Sequence, residues 1–234
     1  DELFSDFFNK SHLKFIYIPK SVKFISKEAF KNCSKLKKVD FEVENSELQE
    51  IGDLAFFETS IDFFSIPKKI RNIGQYCFGG SKIRNVIFSQ EVKMNYFGMG
   101  IFADSSLEQI TIPSNLLEIS QYCFSNCNHL KKVEIPVDSK LKKICKYAFE
   151  SSSIRSIIIP KEVNEIEMRS FFSCHKLRSV EFLSDYKYKL IGIFDDCFKL
   201  IIISFPFSNE IKFHIDRTIY AYYNPELVIL IMAN

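Results

Sequence analysis

The sequence predicts an α/β solenoid: a stack of right-handed coils, each supplying one short parallel strand and a helical or 3₁₀ turn. Three observations lead to this class. A short segment recurs along the 234 residues, one Phe recurs in each copy, and apolar residues alternate with polar ones over a few positions of each copy. A unit of 22 to 27 residues cannot bury its own apolar face, so neighbouring units must stack.

The repeated Phe serves as an anchor that aligns the copies. The predicted anchors are Phe8, Phe30, Phe56, Phe78, Phe102, Phe124, Phe149, Phe171 and Phe198, with Tyr222 in the same place in a tenth unit. This spacing predicts about ten coils in a single domain, 1–234, with regular repeats over 1–208 and a degenerate terminal repeat over 209–234. Apolar residues occupy core columns at both ends, so we expect the chain to be a segment of a longer array; alternatively, irregular terminal coils or a dimer cover the ends.

The strands are predicted from the residues that follow each anchor. A Leu or Ile comes five or six residues later, and two further apolar residues, such as Val133 and Ile135, then alternate with polar ones. Pro often follows and ends the strand, because it has no amide donor. The predicted strands begin near Leu13, Leu36, Ile61, Ile83, Leu107, Leu130, Ile154, Leu177, Leu200 and Leu227.

The seven cysteines occupy columns that otherwise hold Ala, Ser, Thr or Gly. Cys77, Cys123 and Cys197 directly precede predicted anchors, Cys33, Cys127 and Cys174 come three residues after one, and Cys145 comes four residues before one. A slot that demands a small side chain in successive coils suits a free thiol, which behaves as a small apolar group. We therefore expect reduced, mostly buried cysteines that bind no metal.

Composition and motifs argue against several function classes. A net charge of +2 is not that of a dedicated nucleic-acid-binding protein, and the longest apolar run, Leu227 to Ala233, is too short to insert across a membrane. Cys123 and Cys127 could hold a metal on a helical turn, but each fits a core column. We expect no catalytic residues, no cofactor and no metal, and therefore no enzyme.

The repeat resembles a known family. Its motif is Leu-x-x-Ile-x-Ile-Pro-x-x-Val-x-x-Ile-Gly-x-x-Ala-Phe-x-x-Cys, and the segment from Ile66 to Ser81 carries most of it. The pattern is similar to the BspA-like class of leucine-rich repeats. The resemblance implies a horseshoe-shaped solenoid that binds proteins without catalysis, as a surface antigen or adhesin for host or matrix proteins at the cell surface or outside the cell. The alternative is a cytoplasmic scaffold for protein–protein interaction.

A candidate binding face follows from the strand pattern. Residues flanking the central apolar residue of each strand point away from the core, onto the predicted concave face, and most of them are polar. The predicted protein-binding residues are Phe15, Tyr17, Lys38, Asp40, Phe63 and Ile87. Exposed aromatic side chains beside charges are typical of protein-binding surfaces. Alternatively, the aromatic residues cover a neighbouring coil outside this chain, or stack on each other across the sheet.

Overall fold

The computed structural model describes residues 2–3, 8–43, 45–184, 192–206 and 228–232, the first and last of these ranges as backbone only. They form a solenoid with two rows of parallel strands. The front strands are β2 (Phe15–Tyr17), β4 (Lys38–Asp40), β6 (Phe63–Ile66), β8 (Asn85–Phe88), β9 (Gln109–Thr111), β11 (Lys132–Glu134), β13 (Ser156–Ile159), β15 (Ser179–Phe182), β16 (Ile202–Pro206) and β17 (Val228–Met232). The rear strands are β1 (Glu2–Leu3), β3 (Phe24–Ile25), β5 (Glu50–Ile51), β7 (Asn72–Ile73), β10 (Glu118–Ile119), β12 (Lys143–Ile144) and β14 (Glu165–Ile166).

One apolar core runs between the two rows of strands. It contains the inward Leu, Ile and Val columns together with a file of Phe rings, one from each coil. Neighbouring rings in this file lie nearly parallel, with centroids 5.3 Å apart for Phe8 and Phe30 and 4.9 Å apart for Phe149 and Phe171. Stacking of coils therefore buries the aromatic surface that no single coil could bury.

The predicted helical or 3₁₀ turn is wrong: the described residues contain no helix. From Phe30 to Phe194, the backbone enters the left-handed region two residues before and two residues after each anchor, as at Glu28 (φ 58°) and Asn32 (φ 60°) around Phe30. At these positions the backbone turns so that every second peptide group points along the solenoid axis, toward a neighbouring coil. As a result, the amide of Phe30 donates to the carbonyl of Ala55 in the next coil (2.8 Å), and the amide of Asn32 donates to Phe57 (2.8 Å). A helix would keep these groups within its own coil.

The ninth anchor is also corrected, from Phe198 to Phe194. Phe194 is 4% exposed and stacks on Phe171, with ring centroids 5.3 Å apart, whereas Phe198 is 58% exposed. Cys197 therefore lies three residues after its anchor, in the same column as Cys174. The expected ten coils are wrong as well, because the described residues make about eight turns from Phe8 to Phe194. The predicted tenth anchor, Tyr222, lies outside the described residues.

The structure has two strands in most described coils, where the sequence analysis predicts one. The front strands begin one or two residues after the predicted starting positions, and the short rear strands coincide with the apolar residues that precede most of the anchors. All pairings are parallel, as predicted. An all-β solenoid therefore replaces the predicted α/β class in the described part of the chain.

The interruptions of the two ladders are staggered along the axis. Among the described strands, the front ladder is interrupted between β4 and β6 and between β11 and β13, where the rear pairs β5–β7 and β12–β14 are continuous. The rear ladder is interrupted between β7 and β10, where β6, β8 and β9 pair continuously at the front. Each of these junctions thus keeps at least one main-chain ladder.

Both front interruptions have the same origin in the sequence. The Leu or Ile that starts the strand segment lies six residues after the anchor in one coil and five residues after it in the next. This change occurs from Phe30–Leu36 to Phe56–Ile61 and from Phe124–Leu130 to Phe149–Ile154. A serine hydroxyl bridges each junction. Ser60 donates to the carbonyl of Ser34 (2.7 Å), and Ser153 donates to the carbonyl of Asn128 (2.7 Å). A side chain thereby joins the two coils where the front strands do not pair.

The left-handed positions lead to a stability prediction. Ser151 has φ 52°, a conformation that costs a residue with a Cβ about 1 kcal/mol or more. We expect Ser151→Gly to raise the free energy of unfolding by up to about 1 kcal/mol, since the strain relieved exceeds the added chain entropy. The neighbouring change Ser152→Gly is the control. The Ser152 hydroxyl is buried 3.5 Å from the Cys174 sulfur, so this change should lower the free energy of unfolding. Urea unfolding followed by circular dichroism measures both, and equal signs would contradict the prediction.

Candidate functional site

The front strands present the predicted binding residues to solvent. On β2, Phe15 is 65% and Tyr17 is 56% exposed; on β6 and β8, Phe63 is 47% and Ile87 is 57% exposed. Strand pairing places Phe15 opposite Lys38 and Tyr17 opposite Asp40. Successive side chains of a strand point to opposite faces of the sheet. On β4 and β9 the central residues Val39 and Ile110 are buried in the core and the residues on either side are exposed, and the same alternation turns the predicted residues outward.

The six predicted residues form two groups on the face. Phe15, Tyr17, Lys38 and Asp40 lie together on the paired strands β2 and β4. Phe63 and Ile87 lie on β6 and β8, which belong to the next sheet. We call these the β2–β4 patch and the β6–β8 patch. The front interruption separates them, so they form two neighbouring surfaces on successive coils.

The β6–β8 patch opens into a shallow groove of about 510 Å³. Phe63 and Ile87 line one part of it, and the outward residues of β9 and β11 line the rest: Gln109, Thr111, Lys132 and Glu134. These four residues occupy the outward columns of the repeat but are not among the residues predicted for the site. Their polarity gave no signal in the sequence, because only the register of four paired strands brings them beside Phe63.

The charges on this face are paired within single strands. Lys38 contacts Asp40 at 2.8 Å, and Lys132 contacts Glu134 at 3.0 Å, each pair two residues apart and exposed. Exposed pairs of this kind contribute little to stability, about 0–1 kcal/mol. They place a charge-paired strand beside the apolar residues of β2 and another two strands from those of β8, a composition suited to binding another protein surface.

The cysteines lie in the core and offer no accessible nucleophile. All seven are free and buried, as predicted. In one column the thiol donates to the anchor carbonyl of the preceding coil: Cys33 to Phe8 (2.8 Å), Cys127 to Phe102 (3.0 Å), Cys174 to Phe149 (2.9 Å) and Cys197 to Phe171 (3.0 Å). Burial raises the pKa of the Cys127 thiol to about 12, so it stays protonated at neutral pH.

The side chains near the cysteines do not assemble into a reactive site. His175 is exposed and stacks on Phe198, with ring centroids 5.7 Å apart, while its neighbour Cys174 is buried. Over the ranges that the structure covers, no group of three or more His, Cys, Asp or Glu side chains is arranged to hold a metal ion. Nor does the described part of the chain contain a helix with the length and apolar character needed to cross a membrane.

Two rows of parallel strands around a file of stacked Phe rings, with a mostly polar outer face, define a leucine-rich repeat protein, a class that typically binds other proteins without catalysis. The chain belongs to the BspA-type leucine-rich repeat family, whose model matches residues 1–131 and 95–224 with six copies. The resemblance found in the sequence is therefore confirmed. A search of curated protein sequences gave no match to the chain.

Solved structures with the same fold come from several bacteria. A leucine-rich repeat protein from Bacteroides ovatus aligns over 100% of this chain and 64% of its own, with 21% identity and a TM-score of 0.61. The T. pallidum leucine-rich repeat protein TpLRR aligns over 75% of this chain and 71% of its own, with 20% identity and a TM-score of 0.56. The pneumococcal vaccine antigen PcpA aligns over 95% of this chain and 68% of its own, with 18% identity and a TM-score of 0.53. At these identities the likeness establishes the fold.

Proposed function

We propose that the chain is a non-catalytic protein-binding module of a surface antigen, which binds host or matrix proteins through the front face. The observation that carries this proposal is the outward projection of Phe15 and Tyr17 from the same strand, 65% and 56% exposed. Aromatic side chains of this exposure lose much water-accessible apolar area when a partner covers them, and they dominate binding energy at protein interfaces. The pneumococcal vaccine antigen among the structural neighbours supports a surface location.

The binding surface that we propose combines the β2–β4 patch and the β6–β8 patch. Phe15, Tyr17, Phe63 and Ile87 supply the apolar contacts, and the Lys38–Asp40 pair of the β2–β4 patch, whose charged atoms are 2.8 Å apart, supplies the polar contacts. A partner that covers both patches spans the interruption between β4 and β6. The coils on either side of it are joined by the hydrogen bond from Ser60 to Ser34 and by the pairing of the rear strands β5 and β7. In this proposal residues 1–234 act as one domain, which the pairing of β16 with β17 supports.

The test replaces the exposed aromatic residues of the front face. We expect the triple variant Phe15→Ser, Tyr17→Ser and Phe63→Ser to bind at least about tenfold more weakly, because truncation of central aromatic residues commonly costs more than 1.4 kcal/mol each. Binding is measured to immobilised fibronectin, laminin and collagen, with folding checked by circular dichroism. A matched control changes three exposed apolar residues outside the proposed surface, Tyr96, Val137 and Met168, to Ser.

The two variants separate the possible outcomes. Weaker binding by the front-face variant alone supports the proposed surface. Unchanged binding by a folded front-face variant refutes it and directs attention to the loops that follow the strands. If the unaltered chain binds none of the three matrix proteins, the adhesin role for this class of partner is wrong.

A further inference from the structure

A second groove lies on another side of the solenoid, where the chain passes from the front strands to the rear strands. It has a volume of about 750 Å³ and runs across the coils of β5, β7 and β10. Its charged lining consists of four cations, Lys68, Lys69, Arg71 and Lys93, and two carboxylates, Glu47 and Glu91. We call it the basic groove. None of its lining residues belongs to the proposed protein-binding face.

Pairing within the basic groove leaves a positive excess. Lys69 contacts Glu47 at 2.5 Å, and Lys68 contacts Glu91 at 3.7 Å. The hydrogen bond from Lys69 lowers the pKa of the Glu47 carboxyl, which is therefore ionised at neutral pH. Among the described residues, no carboxylate lies within 4.0 Å of Arg71 or Lys93, and both side chains are exposed. Two cations thus face the groove without an anionic partner.

The fold holds the backbone of Arg71 and Lys93 in position. Arg71 directly precedes rear strand β7, and its amide donates to the carbonyl of Gln49 in the preceding coil (2.8 Å). Lys93 lies between Val92 and Met94, which are both buried in the core. Successive coils are spaced at about 4.8 Å, as parallel strands are, so Arg71 and Lys93 lie on adjacent coils, about one strand spacing apart along the axis. Two unpaired cations on adjacent coils suit a ligand that carries several anionic groups along its length.

We propose that the basic groove binds a sulfated polysaccharide. Arg71 offers a guanidinium that can bind a sulfate through two parallel hydrogen bonds, and Lys93 adds a second positive charge. Three side-chain amides, from Gln49, Gln90 and Asn115, and the two paired carboxylates can exchange hydrogen bonds with sugar hydroxyls. A lining that combines cations, donors and acceptors matches a polymer that carries both sulfate and hydroxyl groups.

The lining disfavours a nucleic acid as the ligand. Single-stranded nucleic acids bind through aromatic side chains on which the bases stack, in addition to cations. The residues that line the basic groove include no aromatic side chain. The cationic excess is also small, whereas nucleic-acid-binding domains generally carry a strongly basic surface.

Retention of the full chain on immobilised heparin, eluted with a salt gradient, tests this proposal. The double variant Arg71→Gln and Lys93→Gln removes the unpaired cations. The control Lys131→Gln and Arg178→Gln removes the same two charges from exposed positions outside the groove. We expect the groove variant to elute at lower salt and to bind heparin fragments about tenfold or more weakly. The slope of its logarithmic binding constant against the logarithm of the salt concentration should correspond to about one to two fewer released ions. The control should behave as the unaltered chain.

The alternatives give different results. Binding of heparin but not of chemically desulfated heparin supports sulfate recognition. Equal weakening by the groove variant and the control would overturn the proposal, because it would mean that overall charge alone causes retention. Equal competition by a single-stranded oligonucleotide of matched charge would also overturn it, in favour of a general polyanion surface. Absence of retention at low salt would overturn it outright.

Discussion

Replacement of Phe194 by Ala is expected to lower the free energy of unfolding by about 3–5 kcal/mol, the usual cost of truncating a buried Phe. Phe194 is buried in the core and stacks on Phe171, with ring centroids 5.3 Å apart, so the change leaves a cavity at the end of the file of Phe rings. Stacked coils cannot readily close such a cavity, because the pairing of β15 with β16 and the hydrogen bond from the Phe171 amide to the Ile193 carbonyl (3.1 Å) fix the distance between these two coils.

Phe198→Ala is the matched control, since it removes the same side chain four residues later. Phe198 is exposed and stacks on His175, which is also exposed. Its replacement should cost about 1 kcal/mol or less, the value of an exposed ring contact. Urea unfolding followed by far-ultraviolet circular dichroism gives both values. A larger loss for Phe198→Ala than for Phe194→Ala would restore Phe198 as the anchor and contradict the placement of the ninth coil.

The error at Phe198 shows what the sequence could and could not reveal. The pattern identifies Phe8 to Phe171 correctly because each is followed, three residues later, by a small residue. In the ninth unit both Phe194 and Phe198 are available, and Cys197 fits either the column before an anchor or the column three residues after it. The decisive fact is which ring stacks on Phe171, and that depends on contacts between coils.

The absence of helix in the described residues has a similar explanation. Apolar residues spaced as Leu141, Ile144 and Phe149 are compatible with a helical turn. The left-handed conformations at Tyr147 (φ 59°) and Ser151 (φ 52°) exclude one, although neither residue type signals that conformation. Hydrogen bonds to the neighbouring coils offset the local strain. Contacts between coils therefore override the conformational preference of the individual residues.

The candidate site also has features that the sequence predicts and features that depend on how the coils pack. Alternation within a strand correctly predicts that Phe15, Tyr17, Phe63 and Ile87 point outward. It does not reveal that the front sheet is interrupted between β4 and β6, because the cause is a one-residue difference between coils. The basic groove was missed altogether. Its cations come from segments where insertions vary, so they do not form a column in the repeat.

Alkaline pH is expected to unfold the protein because its buried thiols resist ionisation. Burial raises the pKa of the Cys127 thiol to about 12 and also raises the pKa of the Cys77 and Cys123 thiols. In the unfolded chain a thiol ionises near its ordinary pKa of about 8.5. Above that pH the unfolded state binds fewer protons than the native state, so the free energy of unfolding falls as the pH rises. Below that pH the thiols are protonated in both states and contribute no pH dependence.

The expected slope is large and can be assigned to these thiols by substitution. Each thiol that stays protonated in the native state lowers the free energy of unfolding by about 1.4 kcal/mol per pH unit above its unfolded pKa. The variant Cys77→Ala, Cys123→Ala and Cys127→Ser uses residues that the same columns already contain, such as Ala55 and Ser105. Urea unfolding of both proteins, measured between pH 7 and 10, should give a shallower alkaline decline for the variant, by up to about 4 kcal/mol per pH unit. The values at pH 7 separate any packing cost of the substitutions from the titration. Parallel declines in the two proteins would show that these three thiols are not the buried groups that control stability at high pH.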